Sequence, residues 1–173
     1  MSHFSSITTK LTDSEALTQG LTNLLAAKGI KAQLEVHDSP VKLISDYSRR
    51  DIAYGQIVIR RTYLNTPSHS ALLDVGFLWD EQEGGFQLQA DPWDFNQNAL
   101  GKAFTKDVKG GYSSPVNTFV DEVQLAHDRA YINIHYPPEL WNYTETALED
   151  GSTRITLSQK PSLTESVEAT ATW

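Results

Sequence analysis

Leu73-Asp74-Val75-Gly76-Phe77-Leu78-Trp79, then Asp80-Glu81-Gln82-Glu83-Gly84-Gly85, then Phe86-Gln87-Leu88-Gln89-Ala90: this stretch decides the fold. In an extended chain successive side chains point to opposite faces. Leu73, Val75, Phe77 and Trp79 therefore share one face, and Asp74, Gly76 and Leu78 the other. Phe86, Leu88 and Ala90 alternate with Gln87 and Gln89 in the same way. Two alternating runs around a polar loop with glycines read as an antiparallel hairpin. Gly76 in mid-strand marks a bulge or the close approach of another part of the chain.

The reading extends toward the N-terminus. Gln56–Arg60 is a short β-branched strand, and Ala32–His37 alternates as a half-buried one. Between them, Asp38–Tyr54 reads as a long loop, with room for one helical turn. Thr12-Asp13-Ser14-Glu15 has capping-box spacing, with Thr12 as the cap. Leu17, Leu21, Leu24 and Leu25 follow at helical spacing, and Lys28-Gly29-Ile30 supplies a stop. The helix is expected over Asp13–Lys28, preceded by a strand from Phe4 to Thr9.

Toward the C-terminus, Asp91–Gly111 has no clear period. It carries Trp93, Phe95 and Phe104, and is expected to be partly helical or a compact loop. A second long helix starts at Ser114-Pro115, a cap followed by proline at the first helical position. Its apolar positions are Val116, Phe119, Val120, Val123, Ala126 and Ala130, with Tyr131 or Ile134. Pro137-Pro138 ends it. Trp141–Thr146 and Ser152–Leu157 flank the turn Glu149-Asp150-Gly151. The expectation is α+β: one antiparallel sheet with two main helices on one face and an irregular segment after the central hairpin. Residues 1–160 are expected to form a single domain, and 161–173 a mobile polar tail.

Composition narrows the function. The 173 residues are 39% hydrophobic, below the usual ~45–50%. There is no cysteine, which excludes disulfides, thiolate metal sites and a thiol nucleophile. With 14 basic and 22 acidic residues the formal charge is −8, the wrong sign for nucleic-acid binding. Arg49-Arg50 and Arg60-Arg61 read as solvated edges or ion-pair partners. No apolar run approaches a membrane span, and no leader pattern is visible. A cytoplasmic setting is expected.

No arrangement of catalytic residues stands out. His3, His37, His69, His127 and His135 form no metal-ligand pair, and His127 with Asp121, Glu122 and Asp128 reads as a surface cluster. Asp74, Asp80, Glu81, Glu83 and Asp91 read as a solvated hairpin end, with Asp74 on the solvent face or in the loop. Nucleophile-elbow, phosphate-loop, dinucleotide and calcium-loop patterns are missing. No catalytic, cofactor or metal-binding residue is assigned. Asp91, beside Pro92-Trp93, is the carboxylate placed to frame a pocket.

Several segments together resemble one family. They are Met1-Ser2-His3-Phe4-Ser5 with Ile7, Lys10, Asp13 and Leu17; Asp74-Val75-Gly76-Phe77-Leu78-Trp79; Phe86, Leu88, Ala90, Asp91 and Trp93; Phe119 and Val123; and Asp150-Gly151-Ser152-Thr153-Arg154-Ile155. In order and spacing they resemble the hypothetical chloroplast reading frame thirty-five family. The likeness spans most of residues 1–158. Asn65–Ala71 departs from it as an insertion, and His127-Asp128-Arg129 departs at a helix end the family makes richer in Tyr. The resemblance implies a cyanobacterial cytosol or plastid stroma and a link to photosynthesis, with no catalytic residue to carry over. The expectation is a non-enzymatic interaction module for a protein partner, accessory to an assembly machine such as an ATPase in one version. Its candidate surface is His3, Asp74, Trp79, Asp91, Trp93 and Phe95. The alternative is a small-ligand binder or enzyme using a groove near Asp91 and the N-terminus.

Overall fold

The computed structural model describes residues 3–47, 49–108 and 111–161; the tail reading over 162–173 lies outside them. The fold is α+β. Five antiparallel strands form the main sheet in the order β1-β5-β4-β3-β2. They are β1 (Ser5–Leu11), β2 (Leu34–Lys42), β3 (Tyr54–Ile59), β4 (Val75–Asp80) and β5 (Gly85–Ala90). The deciding hairpin pairs Phe77 with Leu88 and Trp79 with Phe86, and Gly84 takes φ 63° at its turn.

Helix α1 (Ser14–Ala27) is capped by Asp13, one residue later than the capping box predicts. The Asp13 carboxylate accepts the Ala16 N–H at 2.8 Å, and its charge suits the positive helix end. Gly29 closes the helix at φ 74°, a conformation that costs glycine little. Helix α4 (Pro115–His135) starts at the expected proline. Leu17, Leu21 and Leu25 of α1 and Val116, Phe119 and Val123 of α4 join Ile57, Phe77 and Leu88 in one buried cluster. Both helices thus cover the same face of the sheet. They cross closely, since a Cβ on Gly20 would lie 2.6 Å from the Ala126 carbonyl.

The irregular segment contains two short helices, α2 (Pro92–Gln97) and α3 (Ala99–Ala103). A small strand pair follows, β6 (Asp107–Val108) with β7 (Gly111–Tyr112). Asp91 caps α2 through Asp94 N–H, and Asn98 caps α3 through Leu100 N–H.

The other face of the sheet is also covered in part. Strand β2 runs to Lys42, farther than the sequence suggests, with an irregularity between Val36 and Val41. The chain then packs back over the sheet. Leu43 and Ala53 are buried with Val58 in a second, smaller cluster. A Cβ on Gly76 would lie 2.9 Å from Leu43 Cδ2, so the mid-strand glycine admits the leucine side chain.

By packing, the chain falls into two compact units, Met1–Tyr131 and Ile132–Trp173. The division lies inside α4, whereas the sequence reading places 1–160 in one domain. The second unit carries the last helical turns and a hairpin of β8 (Trp141–Ala147) with β9 (Thr153–Gln159). Among the described residues these strands pair only with each other, from Trp141 with Gln159 to Ala147 with Thr153. Tyr136 meets Trp141 edge-on at 5.1 Å. No described helix is long and apolar enough to cross a membrane.

Candidate protein-docking surface

The six residues predicted for an interaction surface separate. His3 is exposed, and Trp93 is 55% exposed at the start of α2. Trp79 is half-buried, its ring edge-on to Phe86 at 5.3 Å. Phe95 belongs to the core, 5.3 Å from the Phe119 ring. Its place is fixed by α2, whose one buried flank carries it inward.

Asp74 and Asp91 require correction, because both are buried. Asp74 does lie opposite the apolar face, but the segment after β2 covers it there. Its Oδ2 accepts Ile44 N–H and Arg60 Nη1, each at 2.7 Å, and its Oδ1 accepts Arg61 N–H at 2.8 Å. A fully buried carboxylate needs such donors. Asp91 serves as a helix cap, its Oδ1 accepting Asp94 N–H at 2.7 Å. Asp91-Pro92 repeats the cap-then-proline pattern of Ser114-Pro115, the signal that could have found this helix.

Arg60 ties three elements together. It is bidentate on Glu35, Nε to Oε1 at 2.8 Å and Nη2 to Oε2 at 2.5 Å, while Nη1 holds Asp74. This guanidinium holds the Glu35 carboxyl at about 2, well below 4.5, assisted by His37 and opposed by burial. Glu35 and then Asp74 in turn push Arg60 upward. Arg61 pairs with Asp46 at 2.7 Å. The basic pairs' expected ion-pair role therefore holds for Arg60 and Arg61.

Sequence reasoning missed two histidine sites. Asp94 is buried and accepts His69 Nε2 at 2.8 Å, Leu72 N–H at 3.0 Å and Leu73 N–H at 3.3 Å. The Trp93 ring stands edge-on to His69 at 5.9 Å. His127, read as part of a surface cluster, is buried. The continuous apolar stripe of α4 turns this side of the helix toward α1.

Further exposed apolar side chains gather on the segment read only as a loop. Leu43 N–H donates to Ala53 O at 2.9 Å, closing residues 43–53 into a compact loop with joined ends. Its base is fixed by buried Leu43 and Ala53, by Asp74 at Ile44, and by Asp46 N–H on Leu72 O at 2.9 Å. Ile44, Tyr47 and Ile52 project outward, with Tyr54 just beyond; each is about half exposed. A depression of about 240 Å³ beside them is lined by Lys42, Leu43, Ile44, Ser45, Arg49 and Asp51. Tyr and Arg are among the residue types enriched in protein contact surfaces.

A second depression, of about 330 Å³, has Trp79 and Phe86 in its wall and Thr12, His37, Asp38 and Gln56 on its rim. Neither includes Asp91. Among the described residues no group of three His, Asp or Glu is placed to hold a metal. No family model, curated protein or solved structure matches the chain.

Proposed function

We propose that this chain is a non-enzymatic protein-interaction module that docks its partner through the loop at residues 43–53. The observation that carries this reading is the pairing of four exposed apolar side chains with a rigid base. Ile44, Tyr47, Ile52 and Tyr54 face solvent while Leu43 and Ala53 are anchored in the core. Side chains held in place before binding lose little entropy on contact, so they convert area into affinity efficiently. The resemblance to the hypothetical chloroplast reading frame thirty-five family supports a cyanobacterial or plastid partner, in a process linked to photosynthesis.

The test is capture from a cyanobacterial lysate with the full chain and with Tyr47→Ser/Ile52→Ser. Proteins retained by the wild type and lost with the double variant support the reading. Identical retention by both, with the variant folded by circular dichroism, overturns it.

A further inference from the structure

The two edges of the main sheet differ. A sheet edge presents unpaired N–H and C=O groups, and proteins guard such edges with proline, charge and irregular pairing. The β2 edge has all three: Pro40, the break in register between Val36 and Val41, and Glu35, His37, Asp38 and Lys42. Among the described residues the β1 edge is guarded only at its ends. Phe4 N–H is taken by Asp51 Oδ2 at 2.7 Å. At the other end, Gln124 of α4 faces Lys10 as a strand would. Lys10 N–H donates to Gln124 Oε1 at 3.3 Å, and Gln124 Nε2 donates to Lys10 O at 3.4 Å. Beside it, Thr9 Oγ1 fills the break between Ile7 and Leu11 by bonding Phe86 O.

Between these stops lies Ser5-Ser6-Ile7-Thr8, uncharged and free of proline. Among the described residues it has no strand partner on its outer side. Ser5, Ser6 and Thr8 are exposed, and Ile7 is half-buried against the core. The window is self-complementary. In an antiparallel pairing about Ile7, Ile7 meets Ile7 of the other copy, and Ser6 meets Thr8. No charge opposes a like charge, and the central pair extends the apolar face.

We propose that the outer edge of β1 pairs antiparallel with β1 of a second copy of this chain, about a two-fold axis at Ile7. A closed two-fold pairing satisfies both edges at once and leaves no template for further addition. The pairing residues Ser5–Thr8 lie outside the loop at 43–53, although Asp51 of that loop holds Phe4 at one end of the edge.

The test uses charge patterns at the two facing positions, read by sedimentation velocity on the full chain. Ser6→Glu/Thr8→Glu places like charges opposite each other twice. Ser6→Lys/Thr8→Glu places opposite charges there, and both variants replace the Ser6 Oγ that accepts from Gln89 Nε2. The wild type is expected to dimerise reversibly. The Glu/Glu variant should dissociate about tenfold or more readily than the Lys/Glu variant. Hydrogen exchange should slow at Ser5–Thr8 only in the dimer. A monomeric wild type, a dimer indifferent to these charges, or a dimer lost with Tyr47→Ser/Ile52→Ser instead would each overturn the proposal.

Discussion

His127 Nε2 accepts the backbone N–H of Asp13 at 3.2 Å. A ring nitrogen that accepts carries no proton, so the other nitrogen, Nδ1, is the donor to Asp128 Oδ1 at 2.8 Å. One side chain of α4 therefore holds the residue that caps α1, and the ring is buried between them. His127→Phe keeps an aromatic ring in the helix interface but removes this acceptor of Asp13 N–H. The donor is half-buried, so the expected loss is about 1 kcal/mol, that of one hydrogen bond. Urea denaturation followed by circular dichroism measures it, and an unchanged midpoint would contradict the contact.

Gly20→Ala tests the helix crossing. Alanine improves helix propensity by about 1 kcal/mol. Here its methyl would sit 2.6 Å from Ala126 backbone atoms, which cannot rotate away. Overpacking of this kind costs about 1–3 kcal/mol, so the net change is destabilising. A thermal midpoint below wild type is the expected result.

The Glu35–Arg60 pair gives the pH dependence. Glu35 titrates near 2 in the folded chain and near 4.5 free of its partner. A lowered carboxyl pKa stabilises fully above the higher value, and the contribution disappears as pH falls through the lower one. The stability gap between wild type and Glu35→Gln should be constant above pH 4.5 and close by about pH 2. Glu35 is 38% exposed, so solvent screening keeps the gap at about 1 kcal/mol or less. Denaturant titrations at several pH values read the closure directly.

Adjacent residues of α2 should respond oppositely. Asp94→Ala removes the acceptor of two backbone N–H groups, one fully buried, and of His69. A loss of about 3 kcal/mol is expected. Trp93→Ala removes an exposed ring and should cost about 1 kcal/mol or less. Equal losses in chemical denaturation would refute this division.

How far the sequence carried this picture depends on what each signal reports. Alternation in Leu73–Trp79 and Phe86–Ala90 reports which side chains share a face, and the hairpin register follows it. It says nothing about what lies over the opposite face. Asp74 therefore reads as solvent-facing or in the loop, although the chain after β2 brings Ile44 back upon it. Phe95 and Trp93 are two residues apart in one short helix, and only that helix decides that one is core and the other surface. Ile44, Tyr47 and Ile52 have no period, because a loop closed on itself imposes none. His127 gave no signal because its role rests on Asp13, more than a hundred positions away.

The bond between Leu43 N–H and Ala53 O means that the chain leaves the sheet and returns to it at nearly one point. Ile44, Asp46 and Asp51 tie the base of the segment to Asp74, Leu72 and Phe4, so only the stretch between Asp46 and Asp51 can change in length and sequence at little cost to the scaffold, since closure entropy grows only slowly with loop size. That tip is in effect a removable cartridge: a foreign epitope seated there leaves the sheet and its buried carboxylate as they are.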